Sequence, residues 1–229
     1  MNNKPVIYIL IPAYNEEKHI GDLIGKIREI TSNIIVVDDG SVDKTARIVR
    51  DNNAICLEHK ENKGKGASLS DGYNYLLEKG ADYIITMDAD GQHSPYDIDK
   101  FINLAESNIF DIIIGNRMKD TADMPLLRYL TNKFTSAVVS ILSGQKIPDS
   151  QCGFRMVSTN VLRKVKIKSM NFDAESEILI KASRNGFKIG SVDIKTIYGD
   201  EKSKINPIKD TIRFFKLVFR LLKKDKESK

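Results

Sequence analysis

The chain contains no tryptophan and only two cysteines among its 229 residues. Cys56 and Cys152 lie far apart and neither has the spacing of a metal site, which fits a reducing compartment. No apolar run approaches the roughly 18 residues of a membrane-spanning helix, and the N-terminus does not resemble a signal peptide. We therefore expect a cytoplasmic protein whose contact with any membrane is peripheral.

A net charge of +5 and an isoelectric point near 9.0 are compatible with binding of phosphates, anionic lipid head groups or nucleic acid. The sequence has no clustered basic face and no aromatic platform, so we expect no nucleic-acid partner. With 41% hydrophobic residues, a chain of this length can bury the core of one large domain.

Short apolar runs alternate with segments of helical period. Strands are predicted at 6–11, 34–37, 55–57, 83–87 and 112–114, and helices at 16–30, 43–50, 67–79 and 95–107, the second of them opened by Ser41. This alternation predicts an α/β fold with a mostly parallel central sheet flanked by helices on both faces. Ligands of such sheets bind at the carboxyl ends of the strands.

Polar clusters follow three of the predicted strands, at 12–16, 38–41 and 88–90. Asp88 and Asp90 are two positions apart at the end of a strand and are expected to share a face. Two carboxylates this close repel each other, and a protonated member or a bound hard cation relieves the repulsion. Oxygen ligands without histidine or cysteine favour Mg²⁺ or Mn²⁺ over zinc.

The glycine-rich segment 62–66 follows the third predicted strand and lacks the spacing of a P-loop. It fits either a flexible turn into a helix or a diphosphate contact through backbone N–H groups and Lys63 or Lys65. A doubly wound NAD-binding domain is not indicated, because no G-x-G-x-x-G motif follows the first predicted strand.

Five motifs, in order, resemble family-2 glycosyltransferases with the GT-A fold, and most of all the dolichyl-phosphate mannose synthase branch of polyprenyl-phosphate glycosyltransferases. The motifs are Pro12-Ala13-Tyr14-Asn15-Glu16, Val37-Asp38-Asp39-Gly40-Ser41, Asn62-Lys63-Gly64-Lys65-Gly66, Asp88-Ala89-Asp90-Gly91-Gln92 and Gln151-Cys152-Gly153-Phe154-Arg155. The resemblance extends over residues 6–205 and implies a nucleoside-diphosphate sugar as the donor substrate.

The resemblance also implies roles for individual residues at the donor site. The residues that match the base and ribose site are Pro12, Tyr14, Glu16 and Asp39, with Asp38 beside them. The residues that match the diphosphate and its Mg²⁺ or Mn²⁺ ion are Asp88, Ala89, Asp90 and Gln92, with Asp88, Asp90 and Gln92 as metal ligands. Capping and turn formation are alternative roles for Asp38, and ordinary loop packing is one for Tyr14.

The acceptor side is implied by residues in the second half. Arg117 and Arg128 match positions near the acceptor phosphate or the leaving diphosphate, where they and Asp90 would stabilise charge during transfer. Arg155 is a further candidate for substrate binding or for organising the site. The residues that match a flexible loop closing over bound ligand are Ser203 and Lys204.

The acceptor decides whether the reaction needs a catalytic base. A sugar hydroxyl needs a carboxylate to remove its proton, whereas a phosphomonoester, with a second pKa of about 6, is already largely anionic at neutral pH. The local candidates for a base are Asp173 and Glu175. Asp173 also suits a helix cap, and Glu175 also suits a residue that supports the cation or a charge in the first helical turn.

A basic amphipathic helix is predicted at 207–224, and residues 206–229 are expected to form a C-terminal helix and tail after a transferase domain at 1–205. Such a helix lies either on an anionic bilayer surface or on the core of its own domain. The apolar segment 126–142 has the same two alternatives.

The sequence thus predicts an inverting, Mg²⁺- or Mn²⁺-dependent glycosyltransferase. It would move a hexose from GDP-mannose or a UDP-sugar to a polyprenyl phosphate, dolichyl or undecaprenyl, at the cytoplasmic membrane surface, alone or with a membrane-protein partner. Two alternatives stay open. One is a glycosyltransferase with a sugar-hydroxyl acceptor in cell-surface polysaccharide synthesis, and the other is a non-catalytic nucleotide-sugar-binding protein.

Overall fold

The computed structural model describes residues 5–197 and 207–227, which form one seven-stranded β-sheet and eight α-helices. The strands are β1 (Ile7–Ala13), β2 (Ile34–Asp38), β3 (Ile55–Glu58), β4 (Tyr83–Thr86), β5 (Ile112–Asn116), β6 (Arg155–Ser158) and β7 (Ile189–Asp193). The helices are α1 (Ile20–Arg28), α2 (Thr45–Asp51), α3 (Lys65–Glu78), α4 (Ile98–Ala105), α5 (Leu126–Ser143), α6 (Thr159–Lys164), α7 (Ala174–Arg184) and α8 (Pro207–Glu227).

The strand order in the sheet is β3-β2-β1-β4-β6-β5-β7. Neighbouring strands are parallel except at β6, which is antiparallel to both β4 and β5. Thr86, the last residue of β4, faces Arg155, the first residue of β6. The predicted mostly parallel sheet is therefore confirmed, with one reversed strand that begins at the edge where its neighbours end.

Helices cover both faces of the sheet because its central strands are apolar on both sides. Leu10 of β1 belongs to a core cluster that includes residues of α3, α5, α6, α7 and α8. The adjacent residues Ile9 and Ile11 belong to a second cluster, with residues of α1, α2 and α4. Successive side chains of a strand point to opposite faces, so strands buried on both faces read as continuous apolar runs.

Three helices begin later than the sequence predicts. α1 begins at Ile20 after a turn, α2 begins at Thr45, and α4 begins at Ile98 after a 3-10 turn at Pro95–Asp97. The prediction that Ser41 opens α2 is wrong, because its hydroxyl donates a hydrogen bond to Asp38 instead. The residue at the N-cap position of α2 is Lys44, and Asp43 just before it accepts a hydrogen bond from the Thr45 N–H group at 2.9 Å.

α8 packs on the domain with one face and exposes apolar side chains on another. Phe214, Leu217 and Leu221 are buried in the first core cluster, whereas Phe215 and Phe219 are 42% and 69% exposed. The helix therefore packs on the core and also presents an apolar surface. The two alternatives from the sequence, contact with the domain's own core and contact with a bilayer, are thus compatible.

The domain boundary at residue 205 stays a prediction. Within 5–197 and 207–227, no helix has both the length and the apolar character needed to cross a bilayer.

Candidate functional site

A cavity of about 520 Å³ lies where the loops after β1, β2 and β4 meet. These strands are neighbours in the sheet, so their carboxyl ends lie side by side. Seven of the predicted site residues line the cavity, namely Pro12, Tyr14, Glu16, Asp39, Asp88, Ala89 and Asp90. The sequence pattern thus correctly predicted which loops converge.

The cavity wall is acidic. Its carboxylates are those of Glu16, Asp39, Asp88, Asp90 and Asp210, and its cationic side chains are Lys65 and Arg213. In the described part of the chain, no group of three or more His, Cys, Asp or Glu side chains is arranged to hold a metal ion. The excess of carboxylates fits a divalent cation that takes some of its oxygen ligands from a bound phosphate.

Lys65 joins two carboxylates at the cavity. Its Nζ atom lies 2.5 Å from Asp88 Oδ1 and 2.6 Å from Glu175 Oε1. Burial alone would lower the pKa of Lys65, but Asp88 and Glu175 raise it above its ordinary value. Burial alone would raise the pKa of Asp88, but the Lys65 ammonium group lowers it below its ordinary value. Lys65 is therefore held as an ammonium ion and Asp88 as a carboxylate.

The glycines on either side of Lys65 allow a close approach between two loops. Gly64 has φ = +99°, and a Cβ atom added there would lie 2.4 Å from the Met170 carbonyl oxygen. A Cβ atom at Gly66 would lie 2.4 Å from the Ser169 carbonyl oxygen. The Gly66 N–H group donates to the Met170 carbonyl oxygen at 2.9 Å, so it stabilises the turn into α3 instead of pointing to a ligand.

Asp39 holds the same glycine-rich loop through its carboxylate. Oδ1 accepts a hydrogen bond from the Lys63 N–H group at 3.0 Å, and Oδ2 accepts one from the Gly64 N–H group at 2.8 Å. His59 Nδ1 lies 2.7 Å from Oδ1. The Lys63 side chain is exposed and does not line the cavity, so Lys65 is the lysine that the structure brings to the site.

The loop after β1 is bonded to Ser41 and to the first residue of α2. The Asn15 N–H group donates to Ser41 Oγ at 2.8 Å, and the Glu16 N–H group donates to Thr45 Oγ1 at 2.8 Å. Asp38 lies outside the cavity lining, accepts the Ser41 N–H group at 3.2 Å, and has its pKa raised by burial. Asp38 therefore has the geometry of a turn residue, which is one of the alternative roles given for it in the sequence analysis.

The loop after β4 brings three predicted residues together. Asp90 Oδ1 accepts a hydrogen bond from the Gln92 N–H group at 3.0 Å. Gln92 Oε1 lies 3.4 and 3.3 Å from the two terminal nitrogens of Arg128, which extends from α5. Asp88 packs against Gly153, where an added Cβ atom would lie 2.4 Å from Asp88 Oδ2. The conformation of Asp88 thus depends on a residue without a side chain before β6.

Arg117 and Arg155 point into the protein. Arg117 is buried and pairs with buried Asp149 through Nε to Oδ2 at 2.7 Å and Nη2 to Oδ1 at 2.9 Å. Arg155 is buried and donates to the carbonyl oxygens of Cys152 at 3.1 Å and Glu175 at 2.8 Å. Neither arginine lines the cavity. Their contacts hold the segments around the site in place. The sequence led us to expect Arg117 near a phosphate, whereas the structure pairs it with Asp149 away from the cavity lining.

The two candidate bases also lie off the cavity lining. Asp173 precedes α7 but makes no capping hydrogen bond through its side chain, so the expected cap is not formed. Glu175 is buried and pairs with Lys65, and its Oε2 lies 3.7 Å from Arg155 Nη2. Ser203 and Lys204 lie outside the described residues.

Five residues outside the motifs quoted above also line the cavity, namely Ser68, Asn171, Phe172, Asp210 and Arg213. Asn171 and Phe172 stand directly before Asp173, one of the two candidate bases. Asp210 and Arg213 have an i, i+3 spacing at the start of α8. The sequence predicts a basic amphipathic helix at 207–224 but does not reveal which of its turns reaches the cavity.

Residues 8–166 match the family model described as glycosyl transferase family 2. A UDP-N-acetylglucosamine–dolichyl-phosphate N-acetylglucosaminyltransferase of Methanococcus voltae is 35% identical over 240 residues, which cover 95% of each chain. A polyprenol monophosphomannose synthase of Mycolicibacterium smegmatis is 26% identical over 200 residues, which cover 81% of this chain and 75% of the relative.

Among solved structures, glucosyl-3-phosphoglycerate synthase from Mycobacterium tuberculosis, in complex with Mn²⁺, UDP-glucose and phosphoglyceric acid, superposes with a TM-score of 0.73 at 16% identity. The match covers 95% of this chain and 79% of the synthase. The shared architecture is the GT-A fold, which confirms the fold expected from the sequence.

Proposed function

Since the chain belongs to glycosyl transferase family 2, we propose that it transfers a sugar from a nucleoside-diphosphate sugar to a polyprenyl phosphate. The observation that carries this proposal is the convergence of Tyr14, Asp39, Asp88 and Asp90 on one acidic cavity. Relatives that act on polyprenyl phosphates support the acceptor class. The UDP-N-acetylglucosamine used by the Methanococcus voltae relative is the first donor to test, followed by GDP-mannose.

We assign the nucleoside to the part of the cavity lined by Pro12, Tyr14, Glu16 and Asp39. Tyr14 is 36% exposed and can offer a face of its ring to a base. The diphosphate would lie toward Asp88 and Asp90. This division follows the order of the loops along the sheet edge, with β4 next to β1.

An Mg²⁺ or Mn²⁺ ion would be held by Asp90 with Asp88 and Gln92 as further oxygen ligands. When bound, such an ion neutralises charge on the departing nucleoside diphosphate. Asp88 Oδ1 is already paired with Lys65, so Lys65 limits how much of that carboxylate can serve a cation. The acidic wall described above supports this assignment, because a diphosphate alone would meet repulsion there.

In the proposed reaction, an oxygen atom of the acceptor phosphate attacks the anomeric carbon of the donor. The bond between that carbon and the diphosphate oxygen breaks, and the configuration inverts. Arg128 contacts Gln92 beside the metal motif, and of the three arginines that the sequence pointed to it is the candidate for contact with a phosphate group. Arg117 and Arg155 would act indirectly, as positioning residues that hold the segments before β6 and at the start of α7.

A polyprenyl phosphate needs no catalytic base, and the surroundings of Glu175 support this acceptor over a sugar hydroxyl. A base must reach the proton that it removes. Glu175 is buried and bound to Lys65, and neither Glu175 nor Asp173 lines the cavity. We therefore expect transfer to a lipid phosphate to survive Asp173→Asn.

The test is turnover with purified protein, Mn²⁺ or Mg²⁺, radiolabelled UDP-N-acetylglucosamine or GDP-mannose, and a short polyprenyl phosphate in detergent. Label that enters the organic phase with the wild type and not with Asp90→Ala supports the proposal. Donor binding without lipid labelling would favour a hydroxyl acceptor or a non-catalytic nucleotide-sugar-binding protein. A hydroxyl acceptor would be revealed by labelled soluble product and by loss of that product in Asp173→Asn or Glu175→Gln.

We further propose that the protein binds the bilayer through what we call the α5–α8 surface. Its exposed apolar members are Leu126, Leu127, Leu130, Phe134, Ile212, Phe215 and Phe219. The rings of Phe134 and Phe215 lie 6.3 Å apart, so the contributions of the two helices are continuous. Exposed lysines at positions 133, 209, 216 and 223 accompany them, which suits an anionic lipid surface.

A further inference from the structure

α8 contributes directly to the wall of the cavity. Asp210 and Arg213 line the same space as Asp88 and Asp90, although they stand more than a hundred residues later in the chain. Arg213 Nη1 lies 2.7 Å from Asp210 Oδ1, and the two side chains are 40% and 14% exposed. The pair therefore combines an accessible guanidinium group with a more enclosed carboxylate that holds it.

The position of α8 is fixed by contacts farther along the helix. Arg220 Nη2 donates to Ser169 Oγ at 3.0 Å and lies 3.1 Å from Glu177 Oε1. Glu177 Oε2 in turn accepts the Ser169 N–H group at 2.7 Å. Arg184 Nη1 donates to the Leu221 carbonyl oxygen at 3.3 Å. These bonds, together with the buried apolar face of α8, set the helix against the body of the domain.

Ser169, which bonds to α8, is connected through the chain to the loop that carries Lys65. Ser169 is followed by Met170, whose carbonyl oxygen accepts the Gly66 N–H group next to Lys65. The same short segment therefore bonds to α8 on one side and to the glycine-rich loop on the other. α8 is held in a defined relation to Lys65 and Asp88.

The two cationic side chains of the cavity differ in how they are neutralised. Lys65 lies between Asp88 and Glu175, within 2.6 Å of a carboxylate oxygen of each. Arg213 forms an ion pair with the Asp210 carboxylate through one of its terminal nitrogens. A guanidinium group has five N–H donors in a planar fork that matches phosphate oxygens. Arg213 can thus hold Asp210 and a ligand phosphate at once.

We propose that Arg213 binds a phosphate group of a ligand in the cavity and that Asp210 is its positioning residue. This inference rests on the proposed function, because that function supplies two phosphate-bearing ligands. The phosphate belongs either to the donor diphosphate or to the acceptor monoester. The chemistry of recognition is the same for both, and the experiment distinguishes them.

The experiment compares Arg213→Met with Arg163→Met, which removes an exposed arginine of α6 outside the cavity lining. Binding of UDP and GDP with Mn²⁺ is measured by titration calorimetry without acceptor, and KM for polyprenyl phosphate is measured by turnover. Loss of a hydrogen bond between charged groups corresponds to a weakening of about 10- to 100-fold. We expect Arg213→Met to weaken one of the two ligands by about this factor and Arg163→Met to weaken neither.

A raised Kd for nucleotide assigns Arg213 to the donor diphosphate. A raised KM for lipid phosphate with unchanged nucleotide affinity assigns it to the acceptor. Asp210→Asn should shift the same constant in the same direction by a smaller factor. Wild-type constants for both ligands in Arg213→Met overturn the inference while leaving the proposed function intact.

Two controls keep the outcome decisive. If Arg213→Met loses its cooperative thermal transition, Arg213→Lys is the deciding variant, because a lysine keeps the charge and loses the planar fork. Wild-type constants for both ligands in Arg213→Lys would then overturn the inference. If the wild type labels no lipid at all, the proposed acceptor is wrong. The role of Arg213 is then tested by nucleotide affinity alone, and a wild-type Kd for nucleotide in Arg213→Met would overturn it.

Discussion

Lys65 Nζ and Asp88 Oδ1 lie 2.5 Å apart, so the first carboxylate of the Asp88-Ala89-Asp90 motif is neutralised by the protein itself. The sequence treats the two aspartates as equivalent members of a cation site. The structure makes them different, since Asp90 bonds to the Gln92 N–H group while Asp88 is bound to a lysine. The pairing with Lys65 therefore limits what Asp88 can offer to a divalent cation.

Lys65→Met should lower both stability and turnover, because it leaves Asp88 and Glu175 without their shared countercharge. Removing one member of a buried ion pair costs about 3–5 kcal/mol. The free energy of unfolding from urea denaturation and kcat with saturating donor are the measurements. Lys60→Met, an exposed lysine of the same region, is the control and should change neither. A Lys65→Met protein with wild-type stability would show that the pair contributes little.

Gly153→Ala should reduce turnover more than it reduces stability. The added Cβ atom would lie 2.4 Å from Asp88 Oδ2 and would force that carboxylate away from Lys65. A displacement of this size at a site of transfer can lower a rate by about 100-fold. The rate is compared with that of Gly25→Ala in α1, where an added Cβ meets no atom within 4 Å. Equal rates in both variants would contradict the role given to Gly153.

Asp149→Asn should destabilise the protein by about 3–5 kcal/mol at neutral pH, because Arg117 stays buried without its partner. Burial raises the pKa of Asp149, but Arg117 lowers it more, so the folded-state pKa lies below the ordinary value. The unfolded chain therefore binds more protons in acid, and the contribution of the pair is lost as pH falls below about 4.

Urea denaturation over a series of pH values measures this dependence. The difference in unfolding free energy between wild type and Asp149→Asn should be greatest near neutrality and should shrink in acid. Asp51→Asn removes an exposed i, i+4 pair with Arg47 and should cost less than about 1 kcal/mol at any pH. A difference for Asp149→Asn that does not vary with pH would exclude the linkage.

Phe219→Glu should weaken binding to vesicles that contain phosphatidylglycerol without changing nucleotide affinity. Phe219 is 69% exposed on the α5–α8 surface, and burial of a phenylalanine side chain contributes about 1.5–3 kcal/mol. Co-sedimentation with vesicles should therefore fall by about tenfold or more. Ile109→Glu changes an exposed apolar residue outside that surface and is the control. Equal sedimentation of the two variants would argue against this membrane surface.

The loops of the cavity were predictable because strand periodicity and short polar clusters are local signals. The first five strands and the residues that follow three of them depend only on neighbours in the sequence. The mostly parallel sheet then follows from the alternation of strands and helices. On this basis alone, the sequence predicts that residues such as Tyr14, Asp39 and Asp90 lie at one edge of the sheet.

The partners of charged residues were not predictable in the same way. Arg117 and Asp149 are 32 positions apart, and nothing local shows that the arginine turns inward to that carboxylate. The bridge from Lys65 to Glu175 likewise depends on how α7 packs against α3. The direction in which a long side chain points is decided by tertiary packing, which periodicity does not contain.

The reversed direction of β6 determines which part of the chain reaches the site. Because β6 runs against β4, the residues before it arrive at the edge where Asp88 lies, and Gly153 can support that carboxylate. A parallel strand of four residues in this place would deliver its preceding segment about 13 Å away, at the opposite edge of the sheet. The site therefore depends on a glycine just before one strand as well as on side chains at the ends of others. An insertion just before β6 would for this reason disturb the chemistry of the cavity, whereas one just after β6 would enter the far edge.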